Sequence, residues 1–294
     1  MSIFVNKNTK IIVQGITGTQ GMLHTDLMLK YGSNIVAGTN PKKAGSEVYG
    51  VPVYGSVKQA KQETDANASI IFVPPAFAGE AIKEAIDAEI EFVVCITENI
   101  PTLDMVDVYD YLQGKKTRLL GPNCPGIISV GECKLGIMPQ DIHLKGPVGI
   151  VSRSGSLTYE TIKQLSLSGI GQSTTVGIGG DSIKGTSFLD VLKAFNEDEQ
   201  TKAIVLIGEI GGDDEIVACK WAKENMDKPI VGFVGGVSAP EGKRMGHAGA
   251  VVNGKSGSAK EKIDELNKLG VKVAPISDMI GQTLIEVLKE KNII

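Results

Sequence analysis

The stretch Lys10-Ile11-Ile12-Val13-Gln14-Gly15-Ile16-Thr17-Gly18-Thr19-Gln20-Gly21 runs from a short apolar segment straight into three glycines spaced three apart, and an amphipathic segment follows. An apolar run without alternation suits a strand covered on both faces, and the glycines let the chain turn sharply into a helix. The pattern then repeats. Apolar runs at Asn34 to Gly38, Ser69 to Val73, Glu91 to Ile96 and Arg118 to Gly121 predict strands. Helical spacing at Gly21 to Lys30, Ser56 to Glu63, Phe77 to Ala88 and Leu103 to Gly114 predicts the crossovers between them. Strands alternating with helices of this length imply an α/β fold with a doubly wound parallel sheet.

A second series opens at Pro147-Val-Gly-Ile-Val151. Strands are expected at Thr174 to Ile178, Ala203 to Ile207, Ile230 to Val234 and Val271 to Val273. Helices are expected at Gly155 to Leu167, Ser187 to Asn196, Asp213 to Asn225, Lys260 to Lys268 and Met279 to Lys289. Two domains follow, 1–126 and 147–294, joined by a packed connector over 127–146. With 294 residues, each can bury a core of its own.

Composition narrows the function. A net charge of -4 and the lack of a basic stripe argue against nucleic acid as a partner. Cys95, Cys124, Cys133 and Cys219 have no CxxC spacing, so neither a zinc site nor a disulfide framework is implied and no metal site is expected. No apolar run approaches the roughly 20 residues that span a bilayer, and the first residues lack a signal pattern. The expectation is a cytoplasmic protein, or one of an organelle (mitochondrial) matrix if a transit peptide was removed.

The chemistry-bearing residues fall at predicted strand ends, where open α/β sheets bind their ligands. After the first strand, Gly15-Ile-Thr-Gly-Thr-Gln-Gly21 offers close backbone approach and the free N–H groups of a helix start, a setting for phosphate. The spacing is GxxGxxG, not the dinucleotide GxGxxG. After the second strand, Gly38-Thr-Asn-Pro-Lys-Lys43 has Lys42 and Lys43 where a nicotinamide-binding fold carries an acid. Lysines there favour a ligand with a further phosphate, coenzyme A or NADP. Pro74 and Pro75 supply a rigid apolar wall, and Cys95-Ile-Thr-Glu98 and Gly121-Pro-Asn-Cys-Pro-Gly126 end neighbouring strands.

In the second series, Ser154, Gly155 and Ser156 open a helix and make a phosphate cradle. Gly208-Glu-Ile-Gly-Gly212 ends a buried strand and projects Glu209 at its carboxyl edge. Gly242-Lys-Arg-Met-Gly-His-Ala-Gly249 sets His247 between glycines on a loop leaving the next strand. A carboxylate holding one ring nitrogen leaves the other free to attack phosphorus.

In this order, these stretches and Ser152-Arg-Ser-Gly-Ser-Leu-Thr-Tyr159 resemble the alpha subunits of succinate-CoA ligases, over nearly the whole chain. The resemblance implies a Rossmann-like CoA-binding domain and a flavodoxin-like doubly wound ligase domain carrying the phosphohistidine loop. Residue by residue it implies His247 as the phosphohistidine and Glu209 as the acid that orients it. It further implies CoA contacts at Thr17, Gly18, Thr19, Gln20, Lys43, Ile96, Thr97 and Glu98, with Pro74 along the ligand and Cys124 near its thiol end. Ser154 and Gly155 fall at the phosphate site, and Tyr159 at the carboxylic acid substrate. The implied partner is an ATP-grasp beta subunit, in an αβ or α2β2 assembly, holding ADP/ATP or GDP/GTP with Mg2+. The implied reaction interconverts succinyl-CoA, phosphate and nucleoside diphosphate with succinate, CoA and the triphosphate. A malate- or other acid-CoA ligase is the neighbouring alternative, and a non-catalytic CoA-binding sensor the distant one.

Overall fold

The apolar runs become strands whose side chains are buried on both faces, in a computed structural model that describes residues 2–240, 242–252 and 257–293. Two compact units form, one from 4–138 with 183–186, the other from 139–182 with the described residues from 187 onward and residues 2–3.

The first unit contains β1 (Lys10–Gln14), α1 (Thr19–Tyr31), β2 (Asn34–Thr39), a 3-10 turn (Pro41–Lys43), β3 (Glu47–Val48), β4 (Val51–Tyr54), α2 (Val57–Thr64), β5 (Ala68–Ile71), α3 (Pro75–Asp87), β6 (Phe92–Cys95), α4 (Thr102–Leu112) and β7 (Arg118–Leu120). Its sheet runs β3-β4-β2-β1-β5-β6-β7, parallel throughout except for β3 against β4. The order reverses direction between β1 and β5, which is the topological switch point of a Rossmann-like sheet. Ile12, Ile71, Ile82, Ile90 and Val93 are among the fully buried residues of the core that helices and sheet share. Gly15 turns the chain at φ +79°, and a Cβ on Gly21 would overlap the Gly15 backbone, so α1 can start only this close to the strand with glycine there.

The expected connector is not a separate piece. Residues 126–136 form a hairpin of β8 (Gly126–Ser129) and β9 (Cys133–Gly136), paired antiparallel and belonging to the first unit. Its anchors are polar and long-range. Ser33 Oγ donates to Lys134 O (2.7 Å) and accepts from Lys134 N (2.9 Å), while Tyr31 Oη accepts from Gly131 N (2.7 Å). Such bonds, made some 100 residues apart in sequence, leave no local periodicity to read. Residues 183–186 likewise join this unit: Gly185 N donates to Gly121 O (3.0 Å) and Thr186 Oγ1 to Leu119 O (2.5 Å).

The second unit holds β10 (Lys145–Ser152), α5 (Gly155–Leu167), β11 (Gln172–Gly177), α6 (Phe188–Glu197), β12 (Ala203–Glu209), α7 (Asp214–Asn225), β13 (Ile230–Gly235), α8 (Ala259–Lys268), β14 (Lys272–Val273) and α9 (Ile280–Glu290). Its strands run in parallel in the order β14-β13-β12-β10-β11, the flavodoxin-like sequence with its switch point between β10 and β12. The core includes Val148, Ile150, Val205, Ile207 and Leu284, all fully buried.

Beneath the end of β12 lies a buried ion pair that the periodicity did not announce. Glu215 on α7 and Lys262 on α8 are both 0% exposed, with Lys262 Nζ 2.5 Å from Glu215 Oε2. The other two ammonium protons go to the carbonyls of Glu209 (2.7 Å) and Gly211 (2.8 Å), so all three donors are used. Glu215 Oε1 accepts the Glu209 backbone N–H at 3.2 Å, and Gly208 lacks the Cβ that would strike this carboxylate. Both backbone polar groups of Glu209 are thus held by one desolvated pair. Removing a single member of such a pair strands the other charge in the interior. Lys262→Met should therefore lower unfolding free energy by roughly 3–5 kcal/mol, read by urea denaturation of the full chain. Lys262→Met combined with Glu215→Leu should recover most of that loss; equal losses in the single and double variants would exclude the stranded-charge account.

Candidate functional site

The second unit's switch point gathers three charged side chains from three segments. Arg153 follows β10 directly, Glu209 ends β12, and His247 sits on the loop beyond β13. His247 Nδ1 donates to Glu209 Oε2 at 2.7 Å, and Arg153 Nε lies 3.2 Å from Glu209 Oε1. Burial is graded across them: the side chains are 4% exposed for Arg153, 12% for Glu209 and 30% for His247. The carboxylate therefore lies between a buried guanidinium and an imidazole open to solvent on one side. Its bond to Nδ1 leaves Nε2 as the ring nitrogen that Glu209 does not hold.

The loop carrying the imidazole is shaped by short-range backbone bonds. His247 N donates to Met245 O (3.1 Å), Ala250 N to His247 O (3.1 Å) and Met245 N to Ala250 O (2.9 Å). Gly249 N donates to Gly180 O (3.2 Å), which ties the loop to the turn after β11. The ring lies so close over Gly180 that a Cβ there would overlap it. The glycine turn after β11, Gly177-Ile-Gly-Gly-Asp-Ser182, is thus a floor for the imidazole.

The hydrogen bond to Glu209 holds the His247 pKa above the usual 6.5, against the opposing effect of burial; the charges of Arg153, which lowers it, and Asp181, which raises it, contribute less. The other two histidines are differently placed. His24 stacks on Phe72 with ring centroids 5.5 Å apart, and burial pushes its pKa down. His143 Nδ1 lies 2.9 Å from Pro139 O.

Ser154 caps α5, its Oγ accepting from Leu157 N at 3.4 Å and lying 3.4 Å from Ser156 Oγ. A second turn fixes the entry, because Ser152 Oγ accepts from Ser154 N (3.0 Å) and donates to Ser154 O (2.9 Å). The first-turn amides at Gly155 and Ser156 face outward from the helix start, as helix geometry requires. Tyr159 is half-buried against the core, and its hydroxyl lies one turn back beside Gly155.

The first unit brings its predicted residues to one sheet edge. Thr17, on the glycine turn, accepts from Asn40 Nδ2 (2.5 Å), which joins the ends of β1 and β2. Gly18 is the N-cap of α1 with no side-chain cap, and Gly18, Thr19 and Gln20 are exposed there. Lys42 and Lys43 lie exposed on the 3-10 turn that Asn40 caps. Pro74 is the exposed N-cap of α3. Beyond β6, Ile96 and Thr97 are half-buried and Glu98 exposed, with Thr97 Oγ1 donating to Val73 O at 2.7 Å. Cys124 lies in the turn beyond β7. It is 4% exposed, and its thiol points at Cys95 O (3.3 Å) and Leu120 O (3.7 Å), as in a structural cysteine filling the turn. All four cysteines are free and buried, and burial pushes the Cys133 and Cys219 thiols up to about 12.

The roles of Arg153 and of the Lys262–Glu215 pair are not legible in the sequence. Arg153 was in plain view between two serines, but a basic residue before a phosphate-binding turn reads as an anion ligand, and only the fold turns it toward Glu209. Among the described residues, no group of His, Cys, Asp and Glu is set to hold a metal ion, and no helix is long and apolar enough to cross a membrane.

Comparison with known proteins agrees with both halves of this architecture. Residues 6–99 match the CoA binding domain family and residues 151–272 the CoA-ligase family. The chain is similar to the succinate–CoA ligase [ADP-forming] subunit alpha of Staphylococcus aureus, at 60% identity over 293 residues covering 100% of this chain and 97% of that one. It is 59% identical, with the same coverage, to the subunit of that description from Staphylococcus epidermidis. Among solved structures, ATP citrate lyase from Methanothrix soehngenii in complex with citrate and coenzyme A superposes with a TM-score of 0.90 at 26% identity, over 99% of this chain. The match spans 52% of that longer chain. A dinucleotide-forming acetyl-coenzyme A synthetase 1 from Ca. Korarchaeum cryptofilum shares the fold at a TM-score of 0.72 and 20% identity, over 92% of this chain and 58% of that one. With domains in this order and an identity of this level along its full length, the chain belongs to the family of succinate–CoA ligase alpha subunits.

Proposed function

We propose that the chain works with a beta subunit to interconvert succinyl-CoA, phosphate and ADP with succinate, CoA and ATP, through a phosphohistidine at His247. The observation that carries this reading is the 2.7 Å bond from His247 Nδ1 to Glu209, made at the switch point of a parallel sheet and beside the open start of α5. ADP is preferred to GDP, and succinate to malate, on the description of the 60%-identical relative. Those relatives are bacterial, which favours the cytoplasm.

The chemistry divides into three displacements. Phosphate attacks the thioester carbonyl of succinyl-CoA, the C–S bond breaks, and CoA leaves as its thiolate to give succinyl phosphate. Nε2 of His247 then attacks phosphorus, and succinate departs with the electron pair of the broken P–O bond. A terminal oxygen of ADP takes the phosphoryl group, and the N–P electron pair returns to Nε2. The start of α5 suits the phosphate because its free amides and the positive end of the helix dipole stabilise an anion without a metal. Glu209 keeps the proton on Nδ1 and so fixes the tautomer in which Nε2 is the nucleophile. The nucleotide and its Mg2+ belong to the partner, an ATP-grasp subunit, in an αβ or α2β2 assembly.

CoA is assigned to the edge formed by Thr17, Gly18, Thr19, Gln20, Pro74, Ile96, Thr97 and Glu98, with Lys43 on its ribose phosphate. Reversing both lysines with Lys42→Glu and Lys43→Glu should raise the KM for CoA on the order of 10-fold, a sum of two screened charge contacts. Dephospho-CoA, which lacks that phosphate, should bind the wild type and the double variant alike; an equal loss for both ligands would remove the lysines from the ribose-phosphate site.

Incubating the complex with γ-labelled ATP should label His247 with an acid-labile, base-stable phosphate, and His247→Asn should take up none. A complex that binds CoA yet stays unlabelled would refute the phosphohistidine. The pH dependence has a definite sign. Attack needs Nε2 without a proton, and Glu209 raises the ring pKa, so uptake should rise with pH and reach half its maximum above 6.5. The charged pair steadies the folded loop below pH 6.5, and this contribution fades as pH climbs through the raised value. Glu209→Gln should move the acid limb of uptake down toward 6.5 and slow the maximum on the order of 100-fold through lost orientation. An acid limb left in place by that substitution would mean that another group sets the titration.

A further inference from the structure

We infer that Arg153 is a positioning residue for phosphoryl transfer, holding the Glu209 carboxylate from the side opposite His247 and remaining as its counter-ion when the imidazole leaves. The inference rests on the phosphohistidine reading above. Arg153 Nε and Glu209 Oε1 are buried 3.2 Å apart as an ion pair, and neither atom makes a hydrogen bond, so each is the other's counter-charge. The remaining guanidinium nitrogens reach Gly211 O (3.5 Å) and Gly180 O (3.4 Å). Gly249, two residues past the histidine, packs against the guanidinium so closely that a Cβ would overlap it. One side chain therefore links the end of β10, the end of β12, the turn after β11 and the histidine loop.

The chemistry gives this linkage a purpose. Glu209 is 12% exposed, and a carboxylate so desolvated is costly without a cation. While the loop is docked, imidazolium and guanidinium share it, one on each oxygen. Once a phosphohistidine carries the ring toward the nucleotide on the other subunit, only the guanidinium remains. With Arg153 in place the acid keeps its orientation and is ready for the returning ring. The charged groups facing the imidazole are Glu209, Arg153 and Asp181, and the guanidinium opposes protonation of the ring.

The test uses Arg153→Gln and Arg153→Lys in the full chain and in its complex with the beta subunit. The His247 ring is titrated by NMR, its signal assigned among the three histidines with His247→Asn. Removing the repelling cation should raise the ring's midpoint by about one pH unit. Phosphoryl uptake from ATP should slow on the order of 100-fold, with the KM for CoA unchanged. Arg153→Lys keeps the charge but not the planar fork, so it should titrate like the wild type and still take up phosphate slowly. If Arg153→Gln does not fold, the lysine variant decides alone, and wild-type uptake in it overturns the proposal. A glutamine variant that loses thermal stability but shows unshifted titration and wild-type uptake reduces Arg153 to a structural role. A wild-type complex that is never labelled at His247 overturns the phosphohistidine reading itself, whereas a labelled wild type with an indifferent Arg153→Gln overturns only the role proposed for the arginine.

Discussion

The organisation of the second unit follows from keeping one carboxylate, Glu209, nearly buried at the end of a parallel strand. Parallel strands leave their last peptide groups at a common edge, and the switch point between β10 and β12 opens a crevice there. A charge placed in it loses most of its hydration and must recover the loss from neighbours. Here four charged side chains supply it. Arg153 and His247 take the two oxygens, while the Lys262–Glu215 pair holds the backbone N–H and C=O below them. The glycines at 180, 208, 211 and 249 are the steric counterpart of this arrangement, since a Cβ at each would enter space already taken by the ring, by the Glu215 carboxylate, by the loop backbone or by the guanidinium.

The two units use the same strand-turn-helix device for different loads. In the first, the edge from Thr17 to Glu98 stays largely exposed, and its few hydrogen bonds, such as Asn40 to Thr17 and Thr97 to Val73, fasten neighbouring strand ends to one another. An open, pre-stiffened edge suits a long ligand bound along its length. In the second, the charges are concentrated at one point and shielded, which suits a small, highly charged group transferred at a single atom.

Much of this was legible because its signals are local. Unbroken apolar runs such as Ala203 to Ile207 marked the strands, and glycines after them marked the turns; Lys10–Gln14 and Gly155–Leu167 have the ends that the sequence predicts. Glu209 and His247 could be paired beforehand because each ends or follows a strand of one series. Other parts depend on contacts distant in sequence. The hairpin of β8 and β9 is held by Ser33 and Tyr31, β3 has only two residues, and β4 carries Pro52 within its four. Cys124 sits at the expected edge in sequence, yet its thiol turns inward to carbonyls of the adjacent strands, a choice made by packing alone.

The same contrast bears on how the phosphohistidine proposed at His247 would be both well oriented and able to travel. Among the described residues, the loop around His247 bonds largely to itself, and its backbone ties to the surroundings include Gly249 N to Gly180 O and Gly211 N to Gly257 O. A hydrogen bond to a charged group contributes about 1.5–3 kcal/mol net, so the imidazole–carboxylate bond supplies a large share of what keeps the loop docked. Undocking breaks that bond and also uncovers Ala250 and Val252, which the docked loop buries. The apparatus left behind is held by buried charges, with Lys262 giving its protons to Glu215 and to the carbonyls of Glu209 and Gly211. On the proposed reading, transfer between two subunits needs a fixed socket and a loop that can leave it, and Arg153, Lys262 and Glu215 belong to the socket.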